Sequence, residues 1–155
     1  MTASARAIRG PLVIAGLVVA IDQLTKHWAV NALDRDRIID IVWTLRLNLA
    51  FNNGMAFSRG DWLGPAVPVL AVAVSVVLLV SLVRSPRSRW FAAAVGLVVG
   101  GSFGNVIDRL FRNDGGLNGA VVDFIDLQWW PIFNVADVAI VAGGGLLLWM
   151  TLRAP

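Results

Sequence analysis

The chain has no cysteine, no glutamate, one histidine and one lysine. Without cysteine there is no disulfide, no thiolate nucleophile and no redox relay. With one histidine and no glutamate there is no HExxH zinc site. A Ser-His-Asp triad would rest wholly on His27, which sits beside Trp28 at a helix end and reads as an interfacial residue. A lysine base could only be Lys26. What remains for acid–base work is aspartate, which supplies all ten acidic residues.

What is abundant is apolar. Of 155 residues 57% are hydrophobic, and the mean hydropathy is +0.73, above the roughly 45–50% of an average soluble domain. Such a surplus calls for lipid. The net charge of +3 does not point to nucleic acid, because the basic residues flank apolar runs and no DNA or RNA motif is present.

Four runs are long enough to cross a bilayer as helices: 11–30, 62–83, 90–107 and 131–152. Each holds 18–22 residues, and about 20 helical residues cross a core of about 30 Å. The second carries no charge, and its Pro65 and Pro68 lie in the first turns. Arg6 and Arg9 before the first run raise the alternative of a cleaved leader. Asp22, Gln23, Lys26 and His27 then follow with no small-residue cleavage site, which favours a retained span.

Arg6, Arg9, Arg84, Arg87, Arg89 and Arg153 occupy three segments without an acid. The positive-inside rule places those segments, and both termini, in the cytoplasm. Segments 31–61 and 108–130 then face outward, and the aspartates fall in them or at the adjoining helix mouths. The fold expected is a single polytopic, mainly α membrane domain over 1–155. It has four transmembrane helices, an outward β/loop platform between helices one and two, and a return segment before helix four. Residues 43–52 alternate strictly, with Trp43, Leu45, Leu47, Leu49 and Phe51 on one face, which reads as a strand. It is either a structural lid or a platform for an extended peptide. Asn52-Asn53-Gly54 supplies a turn. Trp28, Trp43, Trp62, Trp129 and Trp130 suit the interfacial belt.

Asn134 and Asp137 stand i, i+3 on the expected fourth span, which places Asp137 about 9 Å along a helix counted from Pro131. Asp123 lies in an apolar setting, and Asp126 reads as the more solvated of the two. Asp108, followed by Arg109 at a helix end, reads as an ion pair or cap. Asp22 and Lys26, four apart, read as a mutually neutralising pair in a partly buried place. A Ser-Lys dyad using Ser58 or Ser102 is the alternative, weakened because a nearby Asp22 keeps Lys26 charged. Two carboxylates in one low-dielectric site share a proton. Such a pair activates water and protonates a leaving amine without metal or cofactor. Spacing alone does not show that Asp123 and Asp137 meet. A four-span ion relay or transporter subunit using the aspartates is the rival, and a lipid-binding assembly factor a third.

The blocks DQLTK at 22–26, NNGMAFS at 52–58, GNVIDR at 104–109, VVDF at 121–124 and FNVAD at 133–137 together resemble the signal peptidase II (lipoprotein signal peptidase) family. The resemblance covers nearly the whole chain, in order. It implies an aspartic endopeptidase of the bacterial cytoplasmic membrane, with its active site at the outer face. The implied substrate is a prolipoprotein cut just before a diacylglyceryl-modified cysteine. It implies Asp123 and Asp137 as the catalytic pair. Asn52, Gly54, Asn105, Asp108, Arg109, Asn134, Asp22 and Lys26 then bind substrate or brace the site. No metal or cofactor is implied, the partners are the prolipoprotein and membrane lipid, and one complete site per chain suits a monomer. Met55 departs from the family's usual small residue in the N-x-G block.

Overall fold

The computed structural model describes residues 3–33, 37–53, 66–84, 88–112 and 119–153. Gly54, Met55, Ser58 and Trp62 lie outside the described residues. The elements, in chain order, are α1 (Ala3–Ala32), β1 (Ile39–Val42), β2 (Leu45–Asn52), α2 (Ala66–Arg84), α3 (Arg89–Phe111), β3 (Val121–Asp126) and α4 (Val135–Leu152).

Among the described residues, three helical segments are long and apolar enough to cross a membrane: Ile8–Ala32, Arg89–Phe111 and Val135–Leu152. Pro68–Arg84 of α2 is a shorter apolar helix. The helices leave large apolar side chains uncovered, among them Leu17, Leu24, Leu70, Val77, Val141 and Leu148. Water penalises such faces, and acyl chains do not. α3 is the central helix: 61% of its apolar window is buried, against 22% for α1 and 17% for α4. Lipid gives helices little hydrophobic reason to associate, so close backbone approach must supply the attraction. Gly96, Gly100 and Gly104, one per turn, lay the backbone of α3 against α1. A Cβ on Gly100 would come within 2.9 Å of the Ala15 carbonyl oxygen, and one on Gly104 within 2.6 Å of Asp22 Oδ2. Gly101 makes the same kind of approach to Ala136 of α4.

The sheet has the order β1-β2-β3, antiparallel throughout. All but the first two residues of the alternating run build β2. The chain reverses at Trp43-Thr44, where Trp43 takes φ 51 and is 93% exposed, so the expected strand is divided into the tip of a hairpin and a shorter strand. The 121–130 return supplies the third strand. β3 pairs Arg46 with Asp126, Ala50 with Asp123 and Asn52 with Val121. β2 is therefore the middle strand, with both edges taken by its own chain. Ala29, Leu33 and Phe124 form a small core beneath the sheet, joined by Leu47, Leu49 and Val135. Trp28 meets Phe124 edge-on at 6.5 Å. These contacts seat the sheet on the end of α1 and the start of α4.

The fourth helix begins later than expected. Residues 131–133 are not helical, and Phe133 bridges to Ile125. Asn134 is the N-cap: its side chain accepts from the Asp137 N–H, while Asp137 accepts from the Asn134 N–H. This reciprocal arrangement satisfies two orphan donors of the first turn. Asp137 is thus the third helical residue and not a carboxylate 9 Å along the helix.

Candidate active site

Five residues converge where the end of β2, α3, β3 and the start of α4 meet. Asp123 reaches the site from β3 and Asp137 from α4. Asn134 joins them: Nδ2 donates to Asp123 Oδ1 at 2.6 Å, and its backbone N–H donates to Asp137 Oδ2 at 3.2 Å. Asn52, at the end of β2, donates to the other oxygen of Asp123 at 3.1 Å. Asn105 of α3 donates to Asp137 Oδ1 at 2.8 Å. Each carboxylate therefore accepts two N–H groups, and no cation contacts either directly among the described hydrogen bonds and ion pairs. Burial, with Asp137 beside it, pushes the Asp123 carboxyl up to about 7, against the pull of Asn52 and Asn134.

Behind this pair lies a buried charge cluster. Lys26 Nζ is 2.8 Å from Asp22 Oδ2, 2.8 Å from Asp108 Oδ2 and 2.9 Å from Asn105 Oδ1. An ammonium has three N–H groups, and all three are used. Asp22, Lys26 and Asp108 are 0% exposed. Asp22 also accepts from the Ala136 N–H at 2.9 Å, tying α1 to the first turn of α4. Asp108 also holds Arg112 at 2.6 Å and the Val122 N–H at 3.2 Å, tying α3 to β3. The partly buried two-residue pair expected from the sequence is thus a wholly buried cluster, and Asp108 serves it. Lys26 has no N–H left for a serine, which removes the Ser-Lys dyad with Ser102.

Lys26 decides which way one amide points, and the cap of α4 decides another. Asn105 Oδ1 must face the ammonium, so its Nδ2 faces Asp137. Asn134 Oδ1 must face the Asp137 N–H, so its Nδ2 serves Asp123 and Asn105 Oδ1, the latter at 3.1 Å. A charge on α1 thereby fixes the donor that Asn105 presents to Asp137, and the cap of α4 fixes the one that Asn134 presents to Asp123.

Arg109 is 3% exposed and donates to the carbonyls of Asn53 and Gly119, each at 3.4 Å. It holds the end of β2 and the approach to β3 over the site. Asp126 is not solvated. It is 4% exposed, paired with Arg46 at 2.7 Å and bonded to Asn48 and the Gln128 N–H. Burial pushes its carboxyl up, but those donors outweigh burial and hold it below the usual range. A cavity of about 170 Å³ opens beside Asp137, lined by Pro68 and Ala71 of α2 and by Ser102, Asn105 and Arg109 of α3.

The sequence reading named most of these residues. It did not see Gln23, which donates to Asp22, Asp108 and the Gly104 carbonyl. Nor did it see Arg46, Asn48 and Arg112. The one signal for Gln23 was its place beside Asp22 in an otherwise apolar span.

Two carboxyls joined through one asparagine, one buried and the other partly buried, with no cation bonded to either among the described contacts, are the arrangement an aspartic peptidase uses to share a proton. Comparison with known proteins agrees. Residues 14–153 match the family described as signal peptidase (SPase) II. The chain belongs to the signal peptidase II family. It is 44% identical over 141 residues to a lipoprotein signal peptidase of Rhodococcus jostii (strain RHA1), covering 90% of this chain and 71% of that one. It is 39% identical over 144 residues to one of Mycobacterium avium (strain 104), covering 92% and 79%. With one of Mycolicibacterium smegmatis (strain ATCC 700084 / mc(2)155) it shares 38% over 148 residues, covering 95% and 63%. Two bacterial membrane enzyme structures, solved in meso at 2.3 and 1.9 Å, superpose with TM-scores of 0.81 and 0.77. Each is 26% identical; the first match covers 92% of this chain and 87% of that one, the second 94% of each. The chain is a bacterial membrane peptidase of this family, mainly helical, with a small antiparallel sheet.

Proposed function

We propose that Asp123 and Asp137 are the working carboxyls with which this peptidase removes the signal peptide from prolipoproteins, cutting just before a diacylglyceryl-modified cysteine. The observation that carries the assignment is the double use of Asn134, whose side chain holds Asp123 and whose backbone holds Asp137. Below about pH 7 Asp123 keeps a proton. Asp137, with its two N–H donors, is then the partner that takes a proton from water as the water attacks the peptide carbonyl. Asp123 gives its proton to the departing amine, and the pair ends with one proton, as it began.

The layout suits a substrate held by its lipid. α1, α3 and α4 supply the apolar faces, and α2 completes four spans in this reading. The sheet caps the outer end, and both termini lie in the cytoplasm. The cysteine's acyl chains keep the cleavage point near the boundary of the cytoplasmic membrane, where β3 and the first turn of α4 place the acids. Arg109, Asn52 and Gly54 are assigned to binding the peptide, and Asp22, Lys26, Asn105 and Asp108 brace the acids. One chain carries a whole site, which suits a monomer.

The test is cleavage of a diacylglyceryl-modified precursor by protein reconstituted in vesicles. Asp123→Asn and Asp137→Asn are expected to insert normally and to lose turnover by at least about 10³-fold, since each removes half of a shared-proton pair. Full turnover by either variant removes the assignment. Activity is expected to persist in EDTA; loss restored by a divalent cation would move the acids into a metal site.

A further inference from the structure

Two turns meet at one end of the sheet. Trp43-Thr44 joins β1 to β2, and Gln128-Trp129-Trp130 follows β3. Gln128 Nε2 donates to the Thr44 carbonyl at 3.0 Å, and the Arg46–Asp126 ion pair closes the strands just behind. Both turns use a left-handed residue that is not glycine, Trp43 with φ 51 and Gln128 with φ 69. That conformation is strained for a large side chain. At Trp43 it holds an indole that is 93% exposed, so packing within the described protein does not offset the strain. Trp129 and Trp130, 68% and 56% exposed, meet edge to face at 6.2 Å, and Ile41 and Val42 are exposed beside Trp43.

Segments 41–45 and 127–133 carry no charge, so this tip has no ionised group to keep in water. Tryptophan favours the boundary between lipid headgroups and acyl chains. The tip is also continuous with the apolar helices. Trp130 is followed by Pro131-Ile132-Phe133 and then by the N-cap of α4. β3 rests through Phe124 on Trp28, near the end of α1. The sheet therefore lies where two membrane-length helices end. A second copy of the chain fits the tip less well. The three indoles expose on the order of 300–550 Å², taking about 150–250 Å² for a whole aromatic side chain, and each partner of a stable complex gives up about 800 Å².

We propose that Trp43, Trp129 and Trp130, with Val42, dip into the headgroup–acyl boundary of the outer leaflet and moor this end of the sheet to the lipid surface. Asp123 stands back along β3 from Asp126, about 10 Å from the tip at roughly 3.3 Å per strand residue, so the indoles touch neither acid. The acids are held toward the other end of the sheet, through Asn52 and Asn134. Mooring the tip fixes the tilt and height of the whole sheet over the bilayer. A peptide held by its acyl chains then meets the sheet at a constant depth. The leaflet and this effect on capture rest on the proposed function; the contact with lipid does not.

The experiment uses the full chain in vesicles of phosphatidylglycerol and phosphatidylethanolamine. The chain has no cysteine, so Val42→Cys and, back along β1, Asp40→Cys each take a single nitroxide label. The readout is the label's collision with dissolved oxygen, which concentrates in lipid, against a water-soluble nickel chelate. The oxygen-to-nickel ratio is expected to be at least about threefold higher at 42 than at 40. An equal or lower ratio at 42 overturns the anchor. So does spin–spin broadening at 42 that vanishes on dilution with unlabelled protein, which assigns the tip to a second copy. Trp43→Gly accepts φ 51 without strain and so keeps the fold. It is expected to raise KM for a diacylglyceryl-modified peptide about three- to tenfold with kcat within about twofold, and Trp43→Phe to retain most of the parent KM. An unchanged KM in Trp43→Gly overturns the effect on capture. Absence of turnover in the parent protein overturns the proposed function, and the nitroxide ratio still decides the anchor.

Discussion

Asn134 donates its side-chain amide to Asp123 across 2.6 Å and, with its own oxygen, caps the helix that carries Asp137. One residue thus sets the distance between a strand and a helix terminus. Asn134→Ala is expected to lower stability by about 1–2 kcal/mol, the usual loss for an N-cap. The effect on turnover is expected to be larger, about 10²-fold, because small displacements of reacting groups are costly. Thermal melting and steady-state rates on the same preparation separate the two. A variant with normal kcat and a lowered melting temperature would reduce Asn134 to a cap.

The acid pair should show itself in the pH profile. With Asp123 held near 7, kcat/KM is expected to fall above about pH 7 as the shared proton is lost. The Asn52 hydrogen bond pulls that value down. Asn52→Ala should therefore shift the alkaline limb to higher pH, while lowering the maximum rate. A limb that stays in place, or moves toward acid, contradicts the role given to Asn52.

The same carboxyl should affect stability in a defined window. A buried acid whose folded value is raised is protonated in both states below about pH 4, so it contributes no difference there. Between about pH 4 and 7 only the unfolded chain ionises, and stability falls; above about pH 7 the penalty is constant. Asp123→Asn removes the titration. Its stability relative to the parent is expected to rise across that interval and then level off. Denaturant midpoints at pH 4, 6 and 8 measure this, and a difference that does not change with pH is the contrary result.

Lys26 neutralises two acids that are 0% exposed. Lys26→Met leaves Asp22 and Asp108 buried with less compensation and is expected to cost about 3–5 kcal/mol. It should also release the Asn105 amide and with it the orientation of a donor on Asp137. Asp22→Asn in the same background should recover part of the loss. An unaltered melting temperature in Lys26→Met would show that the cluster does not hold the helices together.

The long helices were legible because lipid imposes both length and composition. The segments 11–30 and 90–107 fall inside α1 and α3. The sheet was legible only where the residue types alternate along the strand. β2 alternates, whereas β3 is buried at nearly every position and reads as a plain apolar run. β1 is four residues long, too short for a pattern. The start of α4 was misplaced because Pro131-Ile132-Phe133 looks like membrane sequence while it pairs with Ile125. An asparagine three residues before an aspartate also has two readings, a shared helix face and a cap.

Partners distant in sequence were the hardest to see. Lys26 and Asp108 are named by spacing as members of separate local pairs. What unites them is the glycine column of α3, which lets α1 come close enough for their side chains to touch. No periodicity within either segment encodes that contact. Asp126 was misjudged for the same reason, since Arg46 lies on another strand.

The Lys26 cluster has a consequence for when the protein becomes active. Its members arrive on α1 and α3, and Asp22 reaches the backbone of α4. The first helix is made long before α3, and the Asn105 amide facing Asp137 lacks its orientation until the Lys26 ammonium is seated against it. Hydrolytic competence is thereby made to wait on complete assembly. A full-length chain whose α1 is not yet packed on α3 carries both aspartates but lacks the Lys26 contact that turns the Asn105 amide toward Asp137.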